Sequence, residues 1–259
     1  MENNSSKTAV RWLVLIVVVV HILYNNFYDV IFPGNSILSV TNKYRSLFVP
    51  AGFTFSIWGL IYLLITIYCI YQLLPSQKGK PLYDRIAWPL MTSMFMGIVW
   101  GITFRASMIT LSMVAILLSL VTAIMCLSRV HESIKSGSYP RTIMLPFSLY
   151  AGWLTAASFA SLSLWLVSLG WKGGMLGEEN WVIVLLIIAA LIGFIISYHF
   201  YDYVFSLVIA WACFGIYFER KDDVPLIAVS AITCMGFMLA WSVFVFIKSR
   251  SRKINTGVI

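Results

Sequence analysis

Long apolar runs alternate with short polar stretches along the whole chain, and the runs have the length of membrane spans. A helix needs about 20 mostly apolar residues to cross a hydrocarbon core of ~30 Å. Eight segments meet that need: 10–32, 51–74, 86–104, the run after Arg105 to 128, 142–169, 181–198, 203–218 and 225–247. Helix breakers and charges punctuate them. Pro33 and Gly34 end the first run and Pro75 stops the second. Arg105 marks a tight turn, and a polar connection at 33–49 separates the first two spans. Residues 181–218 contain one acid, Asp202. As one helix they would extend ~57 Å, far beyond the core, so the polar step at 199–202 predicts two helices. The glycine-rich connector at 170–180 divides five spans at 8–169 from three at 181–259.

Composition agrees with this pattern. Sixty per cent of the residues are hydrophobic, 11% are charged and the mean hydropathy is +0.88, whereas soluble domains carry about a quarter charged residues. The chain reads as an all-α integral membrane protein with the lipid bilayer as its solvent. Its net charge of +8 does not indicate nucleic acid, because the basic residues sit between apolar runs, where they set topology. With the amino terminus inside, inner segments hold 12 Lys and Arg and outer segments hold 6. This bias predicts a multi-pass protein of the cell membrane with both termini cytoplasmic. No cleaved signal peptide is expected, since the run at 10–32 is long enough to remain as a helix. Cys69, Cys126, Cys213 and Cys234 lie in apolar runs without a CxxC pair and read as small packing residues. No metal site is predicted.

Few groups could do chemistry. No nucleophile triad, metal cluster, Walker loop or dinucleotide fingerprint occurs, so the chain does not read as an enzyme. His199 and Asp202 fall at the predicted break between two spans. In the first span His21, Asn25, Tyr28 and Asp29 share one helix face. Two readings stand for this stripe: a wall of a ligand cavity or ion path, and interhelical hydrogen bonds with a helix end emerging among headgroups. Trp12, Trp171 and Trp181 lie near span ends, as interface anchors do, whereas Trp58, Trp100 and Trp153 lie deeper. Trp58 and Tyr62 share a face at i and i+4, as Tyr150 and Trp153 do at i and i+3. Such faces suit either plain packing or the stacking of a flat apolar ligand.

The densest aromatic stretch runs from Phe48 to Tyr62, with Pro50, Gly52, three Phe, Trp58 and Tyr62 in fifteen residues. Within it, Ile57-Trp58-Gly59-Leu60-Ile61-Tyr62 resembles the V-W-x-x-L-Y signature in the second helix of the TspO/translocator family, the tryptophan-rich sensory proteins. KYRSLFVPAGFTFSIWGLIY is similar to the PAGxxFxIWGLIY form of larger bacterial relatives, with Pro50 at the loop-to-helix passage. Asn25-Asn26 before the long first loop is similar to those relatives as well. Trp100 lies where the family's third helix carries a Trp. Tyr150 to Trp153 matches the fifth helix's Y-x-x-W, with Ala157 as the small residue one turn on. The resemblance covers about residues 8–169. Departures are Thr54 at a family Phe position, with Phe53 and Phe55 beside it, and Gly97 and Ser161 where the family has amides. A reversed sterol pattern fits Arg141, Phe147 and Leu149.

The resemblance implies a TspO-like five-helix bundle followed by about three further transmembrane helices. It implies a pocket lined by spans one, two, three and five beneath the first loop. The implied ligand-binding residues are Asn25, Pro50, Phe55, Trp58, Tyr62, Trp100, Tyr150, Trp153 and Ala157. The implied ligand is a planar hydrophobic metabolite, porphyrin- or sterol-like, in a sensory, regulatory or transport role. No resident cofactor is expected, a porphyrin or haem-like molecule being a ligand rather than a fixed group. A second copy of the chain, in a homodimer, is a further candidate partner. The alternatives are a small-molecule transporter and a non-catalytic subunit that docks a partner through the last three helices.

Overall fold

A computed structural model describes residues 4–31, 34 and 36–255. Among them the chain is helical throughout, with nine α-helices: α1 (Asn4–Ile31), α2 (Ile37–Tyr44), α3 (Ile57–Tyr71), α4 (Pro81–Arg105), α5 (Ile109–Lys135), α6 (Leu145–Ser168), α7 (Gly177–Phe200), α8 (Tyr203–Arg220) and α9 (Pro225–Asn255). Among the described residues eight helical segments, the second running from Gly52 to Tyr71, are long and apolar enough to cross a membrane, so this is an all-α membrane protein of the architecture that the apolar runs predict. The short α2 lies within the polar connection at 33–49. The expected end of the first span at Phe32 and Pro33 lies outside the described residues.

The breaks have physical causes. After α7, Tyr201 takes a left-handed conformation at φ 52°, and the Asp202 carboxylate then accepts from the Val204 and Phe205 amides at 3.0 and 3.3 Å. A carboxylate at a helix start satisfies orphan N–H groups and complements the dipole. The polar step at 199–202 therefore does divide two spans. Between α4 and α5, Ser107 is left-handed at φ 59°, and the Met108 amide closes the turn onto the Thr103 carbonyl. Pro81 opens α4 at the first helical position, where its missing N–H costs no hydrogen bond. The α-helix of the second span begins at Ile57 rather than 51, because Gly52–Ser56 forms a 3-10 turn.

The chain forms two compact units that interleave along the sequence: Met1–Val40 with Trp58–Tyr150, and Thr41–Ile57 with Ala151–Ile259. Polar side chains such as His21, Ser93 and Ser119 are buried, while Leu63, Ile67, Val121 and Ile195 are exposed. This is the distribution expected where lipid surrounds the protein.

In the first unit, α4 packs along α5 and against α1. The α1–α4 pairs keep nearly one offset: 73 residues for Arg11–Asp84 and His21–Met94, and 76 for Asp29–Arg105. A near-constant offset means that the two helices run parallel. Gly97 and Gly101 make the close approach, since a Cβ at Gly97 would lie 2.6 Å from His21 Cε1 and one at Gly101 2.8 Å from the Tyr24 hydroxyl. Small residues four apart are the usual means of bringing membrane helices together.

The second unit is organised on α8. A Cβ at Gly152 of α6 would meet Val208, and one at Gly193 of α7 would meet Ile209 and Met238. The lead-in to the second span also rests on α8. The Ala51 amide donates to the Gly215 carbonyl at 3.1 Å, and Trp211 Nε1 donates to the Thr54 carbonyl at 2.9 Å. Arg220 donates to the Leu47 and Ser46 carbonyls. The backbone at 46–54, which lies outside the α-helices, thus finds protein partners, as backbone at membrane depth must.

Candidate functional site

The first unit gathers Asn25, Trp58, Tyr62 and Tyr150 around a residue absent from the expected site, His21. Trp58 and Tyr62, one turn apart on α3, stack at 5.1 Å with 28° between their planes. His21 presents its edge to Tyr62 at 5.8 Å and lies 6.4 Å from Trp58. Its Nδ1 is 2.9 Å from the Met94 carbonyl, so Nδ1 carries the proton. That leaves Nε2 to accept from Asn25 Nδ2 at 3.2 Å, and the same amide nitrogen donates to the His21 carbonyl at 2.9 Å. Tyr150 is fully buried 6.2 Å from Trp58, its hydroxyl within 2.9 Å of Ser93 Oγ and 3.3 Å of Ser119 Oγ. Ser93 in turn donates to the Ser119 carbonyl at 2.7 Å. These bonds fix the tyrosine ring and satisfy the polar groups beneath an otherwise apolar face.

Trp100 stacks on Phe104 of its own helix at 5.3 Å. Its indole N–H is buried without an acceptor among the described residues. The remaining expected residues belong to the second unit. Phe55 meets Trp153 edge-on at 5.5 Å, and Ala157 lies one turn beyond Trp153 on α6. Pro50 is buried beside Gly215, where an added Cβ would come within 2.9 Å of it. Thr54 is buried in the 3-10 turn, with its Oγ1 beside the same point. Phe53 packs against Trp211, Phe214 and Phe218 of α8.

Two departures from the resemblance acquire reasons here. Gly97 is not simply a lost amide, because the His21 imidazole fills the space its side chain would take. Thr54 replaces a larger ring where the lead-in backbone lies close to Gly215. Spacing put His21 in the polar stripe of the first span, but the residues implied by the resemblance left it out, and Ser93 and Ser119 were missed altogether. The usable signal was Gly97-x-x-x-Gly101 opposite a helix carrying a buried histidine.

A family model described as TSPO-like protein matches residues 11–244. The chain belongs to the TSPO-like family. The match reaches through α8 and most of α9, well past the stretch at 8–169 that carries the motif resemblance, so the last three spans lie within the TSPO-like match. Neither the curated proteins nor the solved structures contain a match.

Proposed function

We propose that this TSPO-like membrane protein binds a planar hydrophobic metabolite, porphyrin- or sterol-like, against the aromatic face of its first unit, in a non-catalytic sensory, regulatory or transport-related role. The observation that supports this reading is the stacked Trp58–Tyr62 pair, held by the edge of His21 and flanked by a Tyr150 whose hydroxyl is already satisfied. Rings held in place lose little entropy when a flat ligand stacks on them, and apolar area then contributes most of the affinity. Asn25 supplies a polar contact at the margin of that face. The reading also places the protein in a cell membrane with cytoplasmic termini, on the bias of basic residues between spans.

The test is a titration of the purified protein in lipid nanodiscs with protoporphyrin, followed by tryptophan fluorescence. Saturable quenching is expected, weakened about tenfold or more by Trp58→Ala. Absence of saturation, or an affinity unchanged in Trp58→Ala and Tyr62→Ala, would overturn the reading. A competing sterol then distinguishes the two ligand classes.

A further inference from the structure

We infer that the outward face shared by α7 and α9 docks one acidic phospholipid, with its phosphate on Lys248 and its acyl chains along a column of aromatic rings. This site is independent of the planar-ligand reading, because its residues belong to the second unit and the Trp58–Tyr62 face belongs to the first. The two helices run parallel here: Phe194 meets Phe237 and Trp241, and Tyr198, one turn on, meets Trp241 and Lys248. On α9, Phe237, Trp241, Phe244 and Lys248 fall at i, i+4, i+7 and i+11, which makes one stripe. Phe194 stacks on Trp241 at 3.9 Å with 29° between the planes, and Trp241 stacks on Phe244 at 4.9 Å with 25°. Trp241 Nε1 donates to Ser197 Oγ at 2.9 Å, which fixes the indole. Tyr198, Phe237 and Phe244 are all exposed, so this ring wall faces outward.

Lys248 crowns the column. Its Nζ donates to the Tyr198 hydroxyl at 2.9 Å and lies 4.5 Å from the Tyr198 ring centroid and 5.6 Å from that of Phe244. Among the described residues it forms no ion pair with a carboxylate. The acid at this end of the unit, Asp202, is buried and accepts from the first amides of α8. Rings and a hydroxyl therefore hold the ammonium in place, and its charge calls for an anion. Lysines and aromatic residues often anchor helix ends at the level of the headgroups. This column goes deeper. Phe237 lies eleven residues before Lys248, ~16 Å along the axis, and about half of a ~30 Å hydrocarbon core is the depth of one leaflet. A lipid with a negative head and chains one leaflet long matches both the charge and the length. A sterol matches the length but brings no charge to the ammonium. A second copy of the chain, docked through this stripe about a two-fold axis, would turn Lys248 toward Lys248, and the stripe supplies no acid to separate them.

The experiment places the full chain in phosphatidylcholine vesicles with increasing fractions of phosphatidylglycerol brominated on its acyl chains. Bromine quenches an adjacent indole, and the signal lost in Trp241→Phe isolates the Trp241 component. That component should be half quenched at an about fivefold lower fraction of brominated phosphatidylglycerol than of brominated phosphatidylcholine. Lys248→Gln should bring the two lipids to the same value, and Lys248→Arg should keep them apart. Arg250→Gln removes a cation from the same end of α9, one that lies over Phe246 rather than over the column, and should leave the preference unchanged. Equal quenching by the two lipids in the native chain, or a preference that survives Lys248→Gln, overturns the site. So does a preference that Arg250→Gln abolishes as fully as Lys248→Gln, which would show only a general attraction of the basic tail for acidic lipid.

Discussion

Two buried arginines stand at opposite ends of the contact between α1 and α4, and they are held in different ways. Arg11 is enclosed by the Gln72, Gln77 and Lys80 carbonyls at 3.1, 2.9 and 3.1 Å and by Asp84 at 3.3 Å, with the Tyr83 ring 4.9 Å below. The Gln72 amide returns a bond to the Arg11 carbonyl. Backbone carbonyls cannot leave, so this arginine welds the amino-terminal part of α1 to the connection between α3 and α4. Arg105 has one carboxylate that is half in solvent and two long bonds from Nη1, to the Tyr24 hydroxyl at 3.4 Å and the Gly101 carbonyl at 3.3 Å. The signs are also reversed: α1 supplies the cation at one end and the anion at the other. Short bonds to backbone carbonyls mark an arginine that holds the fold, and longer bonds with a half-exposed carboxylate mark one that contributes less to it.

The sharpest challenge to this contrast is Arg11→Met. It leaves three carbonyls and Asp84 uncompensated, and about 3–5 kcal/mol of stability should be lost. Thermal unfolding in detergent should show a much larger drop than for Arg105→Met; equal drops would erase the distinction. Next comes Gly97→Ala, whose Cβ meets the His21 ring and should cost about 1–3 kcal/mol. Adding His21→Ala should recover most of the loss specific to position 97, and additive losses would show that the two do not compete for space. Asp202→Ala should cost about 1 kcal/mol through loss of the α8 cap. In hydrogen exchange that loss should appear as faster opening of the first turn of α8. Asp29→Asn should change the unfolding temperature least, by less than the equivalent of about 0.5 kcal/mol, because an exposed partner contributes little. A large destabilisation by Asp29→Asn would make Arg105 a second weld.

Much of the fold was legible because lipid imposes a simple rule on length and polarity. Eight runs gave eight spans, and the break near Asp202 followed from the impossible length of a single helix. The Trp58–Tyr62 pair was legible too, because i and i+4 residues share a helix face. What was hidden depends on pairs far apart in sequence. Nothing local says that Gly97 accommodates His21, that Arg105 reaches Asp29 rather than merely turning the chain, or that Gly215 receives Thr54. The reach of the family suffered likewise, since the aromatic motifs crowd the first five spans while the later ones are joined by glycines and backbone bonds.

The seat of the Pro50 segment on α8 also sets a timetable for biogenesis. The bonds from Trp211 and Arg220 to the lead-in backbone bridge 157 to 174 residues. At roughly 5–20 residues per second, a ribosome needs on the order of 8–35 s to supply those partners. Residues 46–54 must wait through that interval with carbonyls unmatched, within reach of chaperones, water or a wrong helix. A nascent chain stalled before Tyr203 should therefore expose this segment to proteases, and release of the stall should protect it.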